Sequence, residues 1–245
     1  MKEEIKNKII EDNQRIYDEI SYEFSQTRST PWPMMQRFKK FVFEKARILD
    51  LGCGNGRLLQ IFPQINFDYF GLDSSEKMLE IAKGKYNNNP RVKFLLADFS
   101  QPLKFPDNYF DVVFAIASFH HLPSRELRLR LLKEIWRVVK PGGYFVLTLW
   151  NLYKLKLIKK YHLWHLLLGL KQRNLERGDV FIPWFLKNGK ILQRYYHAFT
   201  FKEIKNLLEK NNWKIIEQYY CTAKARKSNW LKGDNLVVIA KKTFS

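Results

Sequence analysis

Residues 46–56 read Ala46-Arg47-Ile48-Leu49-Asp50-Leu51-Gly52-Cys53-Gly54-Asn55-Gly56, a short apolar run with an acid near its end, leading straight into three alternate glycines. A run of this kind bounded by glycine predicts a buried strand, and helical character from Arg57 onward makes it a strand–turn–helix unit. Lacking a Cβ, Gly52, Gly54 and Gly56 let the backbone turn sharply and lie against a ligand. The pattern recurs downstream. Tyr69-Phe70-Gly71-Leu72-Asp73 is a second short run ending in an acid, with helical sequence over 74–85, and Val92 to Ala97 is a third, ending at Asp98. Phe110 to Ala117 predicts a fourth strand, Ser124 to Val139 a helix, and Lys140-Pro141-Gly142-Gly143 a turn before a fifth strand over 144–149.

Strands alternating with helices of about a dozen residues indicate an α/β fold with a doubly wound, mostly parallel sheet. Before it, residues 1–45 predict two helices around the turn Ser29-Thr30-Pro31-Trp32-Pro33. After it, residues 151–200 break the rhythm with a basic, aromatic insertion, and 201–245 supply a closing helix and two strands. Those strands have no helix between them, so the last must run antiparallel to a neighbour. With no internal repeat and no long linker, the chain reads as a single domain: a helical cap (1–45), a ligand-binding core (46–150), the insertion (151–200) and the closing segment (201–245).

At 245 residues and 46% hydrophobic the chain can bury a sizeable core, which excludes a disordered tail protein. Two cysteines exclude a disulfide scaffold and a four-cysteine zinc site, and point to a reducing, cytoplasmic setting. The N-terminus is charged rather than signal-like, and the apolar stretch over 161–170 is too short to span a bilayer. His162 and His165 share a helix face without an acid or cysteine near them, so no metal site is expected. The formal charge is +19, and it is not evenly spread: residues 151–200 carry 10 basic and 2 acidic groups, and 201–245 carry 10 and 4. A basic surplus concentrated in the C-terminal hundred residues predicts a polyanionic partner, most often nucleic acid.

In an open α/β sheet, ligands bind beyond the carboxyl ends of the strands, where Asp50, Asp73 and Asp98 fall and where Asp107 follows in a turn. A dinucleotide loop, G-x-G-x-x-G, must receive a diphosphate. This loop is G-x-G-x-G with Asp50 two residues ahead of it. A carboxylate there suits a ligand with a cationic amino group and no phosphate, as in S-adenosylmethionine (SAM). Asp73 is placed to accept the ribose hydroxyls, and Asp98 the adenine amino group, with Phe99 beside the ring. Cys53 reads as a small residue within the turn.

Asp50 to Gly56, Asp73, Ala97-Asp98 and Lys140-Pro141-Gly142-Gly143 resemble the successive motifs of class I SAM-dependent methyltransferases. The resemblance implies a Rossmann-like seven-stranded sheet, SAM as cofactor, and contacts from Ala115 as well as from the acids and glycines. Phe24 to Pro33, Ala115 to His121, Gly178 to Trp184 and Arg194 to Phe199 further resemble the tRNA wobble-uridine carboxymethyl methyltransferases, which esterify 5-carboxymethyluridine. Eukaryotic members of that family work with a small zinc-binding activator subunit, which an exposed apolar edge at Val92 to Leu96 would favour here.

A carboxylate acceptor is already ionised at neutral pH and needs no general base. Catalysis then consists of aligning an oxygen with the methyl–sulfur bond, and Arg28, His120, His121 and Arg194 are the candidates to hold the anion. Lys154, Lys156, Lys159 and Lys160 form a basic cluster suited to phosphates. Trp32, Trp184 and Tyr195 or Tyr196 are candidates to stack a splayed base. Two other readings stand beside this one. The first is a small-molecule or lipid-precursor O-methyltransferase whose basic helix touches a membrane without inserting. The second is an RNA-binding scaffold that keeps SAM without chemistry.

Overall fold

Strands buried on both faces need apolar side chains at every position rather than at alternate ones, and the central strands of this protein have them. The computed structural model describes residues 1–86 and 88–243. Helix α1 (Glu3–Thr27) leads through a 3₁₀ stretch (Pro33–Phe41) into β1 (Arg47–Leu51). There follow β2 (Asp68–Asp73), α2 (Glu76–Tyr86), β3 (Val92–Leu96), β4 (Phe110–Ile116), α3 (Arg125–Val138) and β5 (Val139–Trp150). The insertion folds as α4 (Leu155–Tyr161), α5 (Trp164–Leu167) and a hairpin of β6 (Asp179–Phe185) and β7 (Ile191–His197). Helix α6 (Phe201–Glu209), β8 (Trp213–Cys221), β9 (Lys227–Ser228) and β10 (Asn235–Lys242) close the chain; residues 244 and 245 of the closing segment lie outside the described residues.

Among the described residues the main sheet has eight strands, in the order β3-β2-β1-β4-β5-β10-β8-β9. It is the expected seven-stranded sheet with the two-residue β9 added at one edge. Strands β1 to β5 are parallel, and β10 runs antiparallel to both β5 and β8, as the missing crossover helix requires. The order reverses between β1 and β4, which opens a crevice beyond their carboxyl ends.

Two local expectations change. The sequence after Gly56 forms only a short 3₁₀ turn, Arg57–Ile61, rather than a long helix. The turn Lys140 to Gly143 is a bulge inside β5, where Val139 pairs with Phe110 and Tyr144 with Val112. Just before that bulge the Lys242 ammonium donates to the carbonyls of Trp136 in α3 (2.7 Å) and Val139 (2.8 Å), tying the end of α3 and the start of β5 to β10. The insertion buries its own small core, including Leu152, Ile158, Leu166, Val180, Ile182 and Tyr196. Helix α1 packs against α2 and β7 and so bridges the ligand crevice to the insertion.

Candidate active site

The crevice has two halves, one lined by acids and glycines and the other by arginines, histidines and aromatic rings. Asp50, at the end of β1, is 2% exposed. Its Oδ2 accepts the Tyr69 hydroxyl at 2.7 Å, while its Oδ1 is buried with no partner among the described residues. Burial, and then the nearby Asp73, push its pKa up to about 7. Asp73 Oδ2 accepts the Gly54 N–H (2.8 Å) and Oδ1 the Ser75 N–H (2.9 Å), which fixes the carboxylate while leaving each oxygen a further lone pair. At Gly52, φ is +72° and a Cβ would run into the Ser118 side chain, so only glycine keeps the chain this close. Asn55, Ser74, Phe99, Ala117 and Ser118 complete this half.

These residues fit SAM. An orphaned buried carboxylate oxygen calls for a donor, and an ammonium supplies one with the right charge. Two carboxylates beside the turn would repel a diphosphate.

In the second half, Arg194 is 4% exposed, yet among the described residues no carboxylate pairs with it and its Nε has no partner. Its guanidinium lies instead among Trp184 (4.8 Å), Tyr196 (5.3 Å) and Trp150 (5.8 Å). Arg28, half-buried across the crevice, donates among the described residues only to the Thr27 carbonyl, and burial followed by the charge of Arg194 lowers its pKa. Arg57 stacks on Trp32 at 4.4 Å, and its pKa falls to about 10, through burial first and Arg28 second. Three guanidiniums thus border one pocket.

Both histidines are neutral. His121 Nδ1 lies 2.8 Å from the Tyr195 carbonyl, which can only accept, so Nδ1 carries the proton and Nε2 accepts the Tyr17 hydroxyl at 2.8 Å. Burial drives its pKa down to about 3. His120 Nδ1 accepts the Trp150 N–H at 3.3 Å, leaving the proton on Nε2, and burial, His121 and Arg194 hold its pKa well below the usual range. Neither supplies a cation; both present fixed dipoles.

Of the residues singled out in the sequence, Asp50, Gly52, Gly54, Asp73, Phe99, Arg28, His120, His121, Arg194 and Trp32 all line this one crevice. Others do not. Asp98 spends its carboxylate on the Ser100 N–H (2.8 Å) and hydroxyl and lies off the lining. Gly56 shapes the turn with φ +72°, facing Tyr86 and Phe94. Ala115 is core, and Ile116 and Ala117 line the crevice in its place. Tyr195 is buried with its hydroxyl on Asp179 (2.7 Å), so the available ring is that of Tyr196, stacked on Trp150 at 5.2 Å. Trp184 backs Arg194 from outside the lining. Lys154 is ion-paired with Asp234, whereas Lys156, Lys159 and Lys160 are exposed.

Sequence reading missed Tyr17, Asn13 and Trp150. Asn13 bonds the Tyr195 N–H at 3.1 Å, and its place among the helical repeat of Ile9, Ile16 and Ile20 marked it as inward-facing. Trp150 ends β5, where the rule that places ligands at strand ends applies equally.

An acid-lined glycine turn at the switch point of a doubly wound sheet defines the cofactor site of a class I SAM-dependent methyltransferase. Residues 49–147 match the family described as Methyltransferase domain. A fission yeast (Schizosaccharomyces pombe) tRNA (carboxymethyluridine(34)-5-O)-methyltransferase is 29% identical over 84% of this chain and 90% of its own length. A protein of Encephalitozoon cuniculi named "Putative methyltransferase" is 30% identical over 83% of this chain and 87% of its own. The fold is shared with the structure of a complex between the Haloferax volcanii Trm112 methyltransferase activator and a methyltransferase, at TM-score 0.62 and 18% identity, covering 93% of this chain and 98% of that one. The chain belongs to the SAM-dependent methyltransferases. Among the described residues no helix is long and apolar enough to cross a membrane.

Proposed function

We propose that the protein methylates the carboxylate of 5-carboxymethyluridine at the wobble position of tRNA. One observation carries this reading: a buried guanidinium, Arg194, without a protein anion, in the same crevice as the cofactor acids. A buried cation of this kind is costly unless a ligand supplies the counter-charge. An acceptor that arrives as an anion satisfies Arg194 and Arg28 together and needs no proton removed. That agrees with two histidines held neutral, with His121's only lone pair already given to Tyr17. Held by Asp50, Asp73 and the glycine turn, SAM would supply an activated methyl group on its sulfonium. The residues bind and align: the arginines hold the carboxylate, the histidine dipoles set its plane, and Trp150 and Tyr196 wall out water. The fission yeast relative acts on carboxymethyluridine, which favours this acceptor over a small molecule or lipid precursor and over a scaffold role.

The exposed Lys156, Lys159 and Lys160 are suited to tRNA phosphates, and Trp32 to a splayed base. Strand β3 pairs only with β2, and Leu95 and Leu96 on it are 40% and 57% exposed. A small activator subunit that adds a strand there would cover them. Mass spectrometry of tRNA nucleosides, from cells with and without the protein, tests the proposal. Loss of the methyl ester with accumulation of the free acid is expected; an unchanged nucleoside profile would refute it.

A further inference from the structure

The connection from β8 to β10, residues 222–234, plays no part in the pocket yet has the composition of a nucleic-acid contact. Lys224, Arg226, Lys227 and Lys232 are exposed, and among the described residues none is paired with a carboxylate. The segment's one acid, Asp234, is already engaged by Lys154. Trp230, between Lys227 and Lys232 in the sequence, stands 47% exposed. The segment is nonetheless held firmly. Asn151, fully buried, donates through Nδ2 to the carbonyls of Trp230 (2.6 Å) and Gly233 (2.8 Å). On the other side Arg37 donates to the Ala225 carbonyl at 3.0 Å. Asn151 directly follows Trp150, a wall of the acceptor pocket, and Asn235 at the foot of the segment pairs with Trp150 across the sheet. The backbone that carries this exposed indole is therefore anchored from the pocket wall.

We propose that residues 222–234 form an RNA-reading element. Trp230 stacks on an unpaired base beside the acceptor nucleotide, and Lys224, Arg226, Lys227 and Lys232 carry the adjoining phosphates. The inference rests on the reading of the acceptor as a loop nucleotide of tRNA. Bases in a loop offer open faces to aromatic side chains, and an exposed indole on an anchored, cation-rich segment is a surface that can use them.

The test is fluorescence anisotropy of a labelled, unmodified anticodon stem–loop RNA with the full chain. Trp230→Ala should weaken binding about tenfold and Trp230→Phe should restore most of it, while SAM affinity and methyl transfer to free 5-carboxymethyluridine nucleoside stay unchanged. Lys224→Ala with Arg226→Ala should lower the slope of log affinity against log salt by about 1.4. The inference is overturned if Trp230→Ala binds the stem–loop as wild type does. It is equally overturned if phosphatidylserine vesicles, rather than RNA, lose binding in that variant. Wild-type protein that binds the stem–loop through Trp230 but never methylates carboxymethyluridine would sink the acceptor reading and leave this element standing. The reverse result would sink only the element.

Discussion

Replacing Asp50 by Asn separates the cost of the empty cofactor site from its use. In the unliganded fold Asp50 is 2% exposed, and burial raises its pKa from an ordinary 3.8 to about 7. The folded state therefore binds more protons than the unfolded chain between those values, and stability falls as pH rises across that window. A shift of this size corresponds to about 4 kcal/mol, fully felt above pH 7 and absent below pH 4. Asn keeps the bond from Tyr69 through its carbonyl but buries an amide donor where Oδ1 had none, a loss of about 1–3 kcal/mol. The variant should be more stable than wild type at pH 8 by about 1–3 kcal/mol, with the advantage gone or reversed at pH 4.5. SAM binding, which relies on the ionised carboxylate, should weaken by about two orders of magnitude. In wild type, SAM binding below pH 7 should release a proton, and affinity should fall about tenfold per pH unit. Urea denaturation at both pH values and calorimetry in buffers of different ionisation enthalpy measure all of this. Equal stability differences at both pH values, or unimpaired SAM binding in the variant, would refute the reasoning.

Other perturbations reach other parts of the molecule. Arg194→Lys removes the planar fork while keeping the charge, and should reduce kcat/KM on the order of 10²-fold with SAM affinity intact, measured by tritium transfer. Tyr17→Phe strips the donor from His121 Nε2 and should cut transfer about tenfold; the pH–rate profile of either protein should show no limb from His121, whose pKa burial sets at about 3. Gly52→Ala forces a left-handed conformation on alanine and drives its Cβ into Ser118, for a loss of about 2–4 kcal/mol by denaturation. Lys242→Met strands the Trp136 and Val139 carbonyls at the junction of α3 and β5 and should cost about 2–4 kcal/mol, with little change in SAM affinity.

The cofactor half of the site was legible in the sequence because its chemistry is local. Asp50, the glycine turn and Asp73 sit at strand ends, and a parallel sheet carries every such end to one edge. Asp98 shows the limit of that logic. The same position can cap its own turn, and two bonds from Ser100 decided the matter. The acceptor half depends on contacts between residues far apart in the chain: Tyr17 meets His121 across 104 positions, and Asn13 meets Tyr195 across 182. No periodicity encodes such a pairing. The β6–β7 hairpin, by contrast, was signalled and passed over. Asn188-Gly189 between two apolar runs is the strongest short-range hairpin mark, and Gly189 takes φ +83° with Leu186 and Lys190 closing the turn. Missing it hid the register that sends Tyr195 inward and Tyr196 to the pocket, because a one-residue change of phase exchanges the faces of a strand. The insertion is thus a second, smaller structure whose β-ribbon delivers Arg194 and Tyr196 to a crevice built by the main sheet. On the proposed reading, the insertion adds Arg194 and Tyr196 to an acceptor pocket whose other walls include His120, His121 and Trp150 from the main sheet, so substitutions at Arg194 and Tyr196 should alter the acceptor preference without touching SAM.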